Sequence, residues 1–170
     1  MVVYAFYIFD RHTECIYSKK WPPPVAASTA KPRPQSTSSA ATNGESAQPL
    51  TRRTNQKSDD EKLVFGVVFS LRNMCRNLGG EDNFFMNFRT NEYKLHYFET
   101  LTRLKFVMLT DTRTGNLRAA LHQIWLNLYI EYVVKNPLSP AEHPGGMGVA
   151  NELFERGLES FVREVLSAPS

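Results

Sequence analysis

Cysteine is scarce in this sequence, since Cys15 and Cys75 are the two cysteines among 170 residues and no Cys-x-x-Cys pair occurs. This spacing excludes a zinc motif and a dithiol redox motif. The four histidines share neither a helix face nor a ligand spacing, so we expect no metal and no cofactor. The sequence also lacks an Asn-x-Ser/Thr glycosylation site.

Long apolar runs are absent too, because no stretch approaches the roughly 18 residues that a membrane-spanning helix needs. The N-terminus lacks the basic and then apolar layout of a signal peptide. Val2 stands where myristoylation needs glycine, and the final residues carry no cysteine for prenylation. These features predict a cytosolic chain without a membrane span.

The net charge of +3 is not spread over the whole chain. Five of the 20 Lys and Arg residues and one of the 17 Asp and Glu residues fall within residues 22–57, so the remainder carries 15 basic and 16 acidic side chains. A protein that docks nucleic acid usually presents a basic folded face. The near-neutral remainder gives no reason to expect a nucleic-acid partner.

The segment 22–57 differs in composition from the rest of the chain. It contains six of the ten prolines, ten Ser or Thr residues and no aromatic residue. Such a segment cannot bury enough apolar area to offset the entropy of ordering it. We expect a disordered insert within a single domain, either a tolerated surface insertion or a loop that binds a partner or is phosphorylated.

Hydrophobic patterns outside this segment predict the order β-β-(insert)-α-β-β-β-α-α. Ser58 and Glu61 form a capping box at the start of the first helix. Residues at helical spacing indicate its core-facing stripe: Leu63, Val67, Leu71, Met74, Cys75 and Leu78. Gly79 and Gly80 would end that helix. The third helix would be capped by Asn151.

Several strands carry large apolar residues on both alternating faces, as in Val2–Phe9 and in "YKLHYFET", residues 93–100. A strand with one solvated face would alternate cleanly between apolar and polar residues. Helices on both faces would explain the pattern, so we predict an α+β fold, an α/β/α sandwich around an antiparallel sheet.

No constellation of residues supports catalysis. His96 lies on an apolar strand without a nucleophile or acid placed beside it, which favours a structural histidine with one backbone partner. "GGMG", residues 145–148, lacks the Lys-Ser/Thr of a phosphate-binding loop and is interpreted as a mobile loop. We therefore expect no catalytic residues and no enzyme.

Apolar side chains instead exceed what a core needs. In Ile124–Val134, nine of eleven residues are apolar or aromatic, although one helix face requires only about half of them. The core-facing stripe expected for the second helix is Leu117, Leu121, Ile124 and Leu128. Trp125, Tyr129 and Tyr132 lie off that stripe, and Phe65 and Phe69 lie off the stripe of the first helix. Either the C-terminal helix covers the aromatic residues of the second helix, or they belong to a protein interface, where Trp and Tyr are enriched. Phe65 and Phe69 are further candidates for such an interface.

Four short motifs in register carry a family resemblance: "IFDR" (8–11), "GVVFSLRN" (66–73), "YKLHYFET" (93–100) and "VVKNPLSP" (133–140). Together they resemble the family of trafficking protein particle (TRAPP) complex subunit 1, small sedlin-like proteins of longin fold. The resemblance covers residues 1–21 and about 58–166, and it leaves the long insert aside.

The resemblance implies a five-stranded antiparallel sheet with one helix on one face and two on the other. It also implies a core subunit beside a second sedlin-like subunit and a subunit of the acylatable TRAPP fold. That complex would be a guanine-nucleotide exchange factor for a Rab-family GTPase and a vesicle tether in endoplasmic-reticulum-to-Golgi transport. The chain would then be peripheral on cis-Golgi and endoplasmic reticulum membranes.

Alternatives to this interpretation share the fold class. A clathrin-adaptor small subunit is disfavoured by the pairing of "IFDR" with "VVKNPLSP". A SNARE longin domain would need a following heptad segment and an anchor, which we do not expect here. A small enzyme is disfavoured by the missing catalytic constellation.

Overall fold

The computed structural model describes residues 1–22, 50–80 and 84–166, and within them five strands form one antiparallel sheet. The strands follow each other along the chain as β1 to β5: Val3–Phe9, Cys15–Lys20, Asn87–Arg89, Lys94–Glu99 and Lys105–Thr110. Their order across the sheet is β2-β1-β5-β4-β3. The β1–β2 hairpin and the meander of β3, β4 and β5 therefore meet where β1 pairs with β5.

Three long helices cover the sheet. Helix α1 is Leu50–Gly79, and α2 begins as Arg118–Gln123 and continues as a π-helix over Ile124–Val134. Helix α3 is Glu152–Phe161 and continues as a π-helix over Val162–Leu166. One buried cluster joins the sheet to α2 and α3, and the other joins it to α1. The predicted sandwich, with one helix on one face and two on the other, is confirmed.

The central strands show why both faces had to be apolar. In β1, Phe6 and Ile8 pack towards α2 and α3, whereas Tyr7 and Phe9 pack towards α1. All four side chains are at most 2% exposed. A strand buried on both sides loses the alternation of polar and apolar residues that marks a solvated sheet.

Helix α1 begins at Leu50, so the predicted capping box at Ser58 and Glu61 is wrong, and residues 50–57 of the predicted insert are helical. Each residue added to an existing helix gains one hydrogen bond, and Arg, Gln and Lys in this stretch are good helix formers. The acidic side chains bind β2 instead. Ser18 Oγ donates to Glu61 Oε1 at 2.6 Å, and Lys20 pairs with Asp60. The rest of the predicted insert, residues 23–49, lies outside the described residues.

The π-helical part of α2 changes which side chains face the sheet. Its i→i−5 bonding is visible at its end, where the Lys135 N–H donates to Ile130 O at 2.9 Å. A π-helical turn is wider than the about 3.6 residues of an α-helix. The buried residues of this stretch follow that wider spacing: Ile124, Leu128, Tyr129 and Val133.

The glycine-rich turn after α2 packs against the outer edge of β2. Gly146 has a φ of +83°, which glycine adopts without strain. A Cβ at this position would lie 2.4 Å from the carbonyl oxygen of Ile16. The absence of a side chain therefore lets the turn Pro144–Gly146 lie directly on the β2 backbone.

Candidate functional site

Tyr129, which the sequence suggested as an interface anchor, lies inside this chain. Its side chain is 2% exposed, and its ring meets Phe106 edge-on at 5.7 Å between centroids. The ring of Phe154 in α3 lies 6.5 Å away. Tyr129 is therefore covered by its own chain, because the wider π-helical turn places this residue in the core and not on the flank of α2.

Trp125 and Tyr132 are partly buried by their own chain as well. The ring of Trp125 lies 6.1 Å from Phe98 and 5.4 Å from His122. Tyr132 packs at Gly157 of α3, where an added Cβ would meet its ring carbon at 3.5 Å. The aromatic surplus of α2 thus serves mainly to hold α3 and the sheet together.

Helix α1 presents a different face to the sheet than its pattern predicted. Val68 is fully buried, and residues packed beside it against the sheet are Val64, Phe65, Leu71 and Cys75. Phe65 contacts Phe9 at 5.4 Å between ring centroids. Phe65, proposed from the sequence as a flanking interface residue, is therefore part of the α1 side of the core.

Leu71 and Cys75 of the predicted core stripe of α1 pack against the sheet, but its other four members point outward. Its exposed members are Leu63, Val67, Met74 and Leu78, at 69%, 39%, 49% and 81% exposure. We call these four residues the α1 stripe. Two apolar sets overlap around this helix, each at helical spacing, so periodicity alone could not tell which one faces the sheet.

Phe69 lies on the opposite flank of α1 and is 49% exposed, stacked on Phe65 at 5.9 Å. It is the one aromatic candidate from the sequence whose ring keeps half of its surface in solvent. The α1 stripe and Phe69 give this helix apolar surface on both sides of its buried face. Exposed apolar surface of this kind marks protein interaction sites in soluble proteins.

Across residues 1–22, 50–80 and 84–166, no group of three His, Cys, Asp or Glu side chains is arranged to hold a metal ion. A search of the same residues finds no helix with the length and apolar character to cross a membrane.

His96 is hydrogen-bonded within the core. Its Nε2 lies 3.0 Å from Thr110 Oγ1, and the Leu117 N–H donates to Nδ1 at 3.4 Å. Burial, with the nearby Lys94 charge as a smaller cause, lowers the pKa of His96 to about 4. The neutral ring joins β4 to the start of α2, as a structural histidine should.

Comparison with known proteins places the chain among trafficking subunits. A family model described as "Sybindin-like family" matches residues 3–165. "Transport protein particle subunit bet5" of Schizosaccharomyces pombe is 36% identical, covering 96% of this chain and 97% of the relative. "Trafficking protein particle complex subunit 1" of Rattus norvegicus is 34% identical, over 97% and 94%. "Trafficking protein particle complex subunit BET5" of Saccharomyces cerevisiae is 31% identical, over 98% and 99%.

Proposed function

This chain belongs to the sybindin-like family, and from that premise we propose that it is a non-catalytic core subunit of a TRAPP complex in vesicle transport. Relatives that match along nearly their whole length are named as subunits of that particle. The matched length includes the sheet and all three helices, so the proposal concerns the whole domain.

The finer role follows from the same premise. The complex would act as a guanine-nucleotide exchange factor for a Rab-family GTPase and tether vesicles between endoplasmic reticulum and Golgi. This chain would contribute surface to the GTPase platform and no reacting group. It would sit beside a second sedlin-like subunit and a subunit of the acylatable TRAPP fold, peripheral on cis-Golgi and endoplasmic reticulum membranes.

The observation that supports a scaffold role is the α1 stripe. Four large apolar side chains lie on one helix face, and Leu78 keeps 81% of its surface in solvent. A helix that buries one apolar face against its own sheet gains nothing from a second one unless a partner covers it. We assign the α1 stripe to contact with a neighbouring TRAPP subunit. Phe69, on the opposite flank of α1, is a separate interface candidate.

Glutamate substitutions in the α1 stripe test this assignment. The double variant M74E/L78E should fold, because both side chains are exposed, but it should co-purify with TRAPP subunits at less than a tenth of the wild-type yield. Placing carboxylates in a desolvated interface costs several kcal/mol of binding, roughly the scale of interface hot spots. Affinity purification of the tagged full-length chain, with quantitative mass spectrometry, measures the loss.

Leu138→Glu is the matched control, since Leu138 is 91% exposed and lies beyond the end of α2. It should assemble like wild type. If M74E/L78E assembled normally, the α1 stripe would not be part of the interface. The proposal that the chain is a TRAPP subunit would still stand. A wild-type chain that captures no TRAPP subunit would overturn the proposed function itself.

A further inference from the structure

An arginine-lined cleft opens at the edge of the sheet, away from the α1 stripe. It has a volume of about 440 Å³, and its main side chains are Arg72, Arg76, Arg103, Arg118, Phe84 and Leu101. We propose that this arginine cleft binds an extended acidic segment of a partner protein. The proposal does not depend on the identity of the complex, because it follows from the charge and shape of the cleft.

Four guanidinium groups line the cleft, and among the residues that the structure describes only that of Arg72 is paired with a carboxylate. Arg72 Nε and Nη2 donate to the two oxygens of Glu99 at 2.6 and 2.9 Å. The hydroxyl of Tyr97 donates to Glu99 Oε2 at 2.9 Å. Burial alone would raise the pKa of Glu99, but the bonds from Arg72 and Tyr97 hold it below its usual range. Glu99, the one carboxylate among the described residues of the cleft, is thus already bound by Arg72 and Tyr97.

Arg76, Arg103 and Arg118 are exposed and form no ion pair with any residue that the structure describes. Three like charges around one concavity repel each other, and an anion between them would relieve that repulsion. The planar guanidinium group binds carboxylates through two parallel N–H bonds. The cleft is therefore complementary to more than one carboxylate.

A tight turn presents Arg103 to the cleft. The Thr100 N–H donates to Leu104 O at 2.9 Å, and the Arg103 N–H donates to Thr100 O at 3.0 Å. Arg103 itself has a φ of +64°, which is uncommon for a residue other than glycine. These bonds fix the backbone from which the Arg103 side chain extends, so less freedom is lost when a ligand binds.

The position at the sheet edge favours an extended peptide. Pairing on the outer side of β4 ends where the Tyr97 N–H donates to Met86 O at 2.9 Å, so Glu99 has no β3 partner. A chain segment can add to such an edge through its backbone. Phe84, at 66% exposure, and the fully exposed Leu101 add apolar contacts at the rim.

The arginine cleft and the α1 stripe can be tested separately. Arg72 and Arg76 follow Phe69 by three and seven positions, and so share its flank of α1. Met74 and Leu78 lie on the other flank. Variants of the cleft should therefore leave assembly through the α1 stripe unchanged, and failure of one proposal does not imply failure of the other.

The test uses the full-length chain and a fluorescein-labelled peptide, Glu-Glu-Leu-Glu-Glu, followed by fluorescence anisotropy. The wild-type chain should bind it, and the triple variant R76Q/R103Q/R118Q should bind at least tenfold more weakly. A peptide with glutamine in place of glutamate should not bind. The triple variant with lysine at the three positions keeps the charge but loses the paired N–H geometry. Its affinity for the glutamate peptide should therefore fall between those of the wild-type chain and R76Q/R103Q/R118Q.

The matched control R11Q/R156Q/R163Q removes the same charge at exposed arginines outside the cleft. It should bind the peptide within twofold of wild type. An equal loss in both triple variants would show non-specific attraction and overturn the proposal. Binding of phosphatidylserine vesicles through the three arginines, without binding of the peptide, would also overturn it and assign the cleft to a lipid surface.

Glu81 and Asp82 precede Phe84 in the sequence and lie outside the described residues. The variant E81Q/D82N asks whether the chain's own carboxylates occupy the cleft. Peptide affinity unchanged within twofold supports a partner segment as the occupant. A tenfold gain would assign the cleft to Glu81 and Asp82 and overturn the proposal.

Discussion

At the scale of single residues, the hydrogen bonds around His96 keep its ring neutral and determine which ring nitrogen carries the proton. The Leu117 N–H donates to Nδ1, so the proton of the neutral ring lies on Nε2 and is donated to Thr110 Oγ1. Thr110 in turn donates to Asp111 O at 3.1 Å. A protonated ring would lose the bond from Leu117 and place a buried charge beside Lys94. His96 is fully buried, as the interpretation as a core histidine required.

The depressed pKa of His96 predicts a loss of stability in mild acid. Below its ordinary pKa of 6.5 the unfolded chain takes up a proton at this residue, whereas the folded chain does so only near pH 4. The free energy of unfolding should therefore fall between these values. From pH 7 to 4.5 the contribution of this residue is about 2–3 kcal/mol.

Urea denaturation of the wild-type chain and of His96→Gln at the two pH values measures this contribution. The variant is expected to be less stable at pH 7 but to lose about 2–3 kcal/mol less on acidification. Glu99 also titrates in acid, but it does so in both proteins and cancels. Identical pH dependence of the two proteins would show that His96 stays neutral in the unfolded chain or is charged in the folded one.

At the scale of elements, the helices show where periodic patterns determine structure and where they do not. The existence and order of α1, α2 and α3 follow from apolar spacing and end signals, and Asn151 caps α3 as expected. The orientation of α1 does not follow, because Val64, Val68 and Cys75 compete with Leu63, Val67 and Met74 as a core face. The burial of Tyr129 depends on π-helical winding, for which the sequence contains no local signal.

Asn151 provides a test at this scale because it joins two helices. Its Oδ1 accepts from the Phe154 N–H at 2.8 Å, and its Nδ2 donates to Tyr132 O at 2.8 Å. Asn151→Ala removes both bonds and should cost about 2 kcal/mol of unfolding free energy, the sum of a helix cap and one further bond.

Asn151→Asp separates the two contributions, because a carboxylate keeps the cap but cannot donate to Tyr132 O. Thermal or urea unfolding should rank the aspartate variant between wild type and alanine. If aspartate matched wild type, the bond between α3 and α2 would contribute nothing to stability.

At the scale of the whole molecule, the layered architecture was predictable from the sequence, and the exposed apolar surface was not. Strands that carry apolar residues on both faces, such as β1, must be covered by other elements on both sides, whichever residues make the contacts. The exposed apolar surface, in contrast, consists of the apolar side chains that the chain's own helices and sheet leave uncovered. The aromatic residues of α2 pack within the chain, whereas the α1 stripe is exposed to solvent. The arginine cleft left no linear motif, because its four arginines come from α1, the β4–β5 turn and α2.

The long connection between β2 and α1 gives a further prediction. Its composition still predicts that residues 24–49 add nothing to the core, and the entropy of closing a loop changes slowly with length. Deleting these residues should shift the melting temperature by less than about 3 °C, on the scale expected when stability changes by well under 1 kcal/mol. Differential scanning calorimetry of the deletion and full-length chains makes the comparison, and a drop of several degrees would show that the segment packs.

The turn Pro144–Gly146 lies on the backbone of β2 and makes the two edges of the sheet unequal. Continuous strand addition needs an open edge on both sides of every unit. Here one edge is occupied near Ile16 by the chain's own turn, and the other ends in the short β3 and the arginine cleft. A second sheet could join this molecule on one side only. We expect such pairing to stop after a single step, because neither molecule of the pair would then present a second open edge.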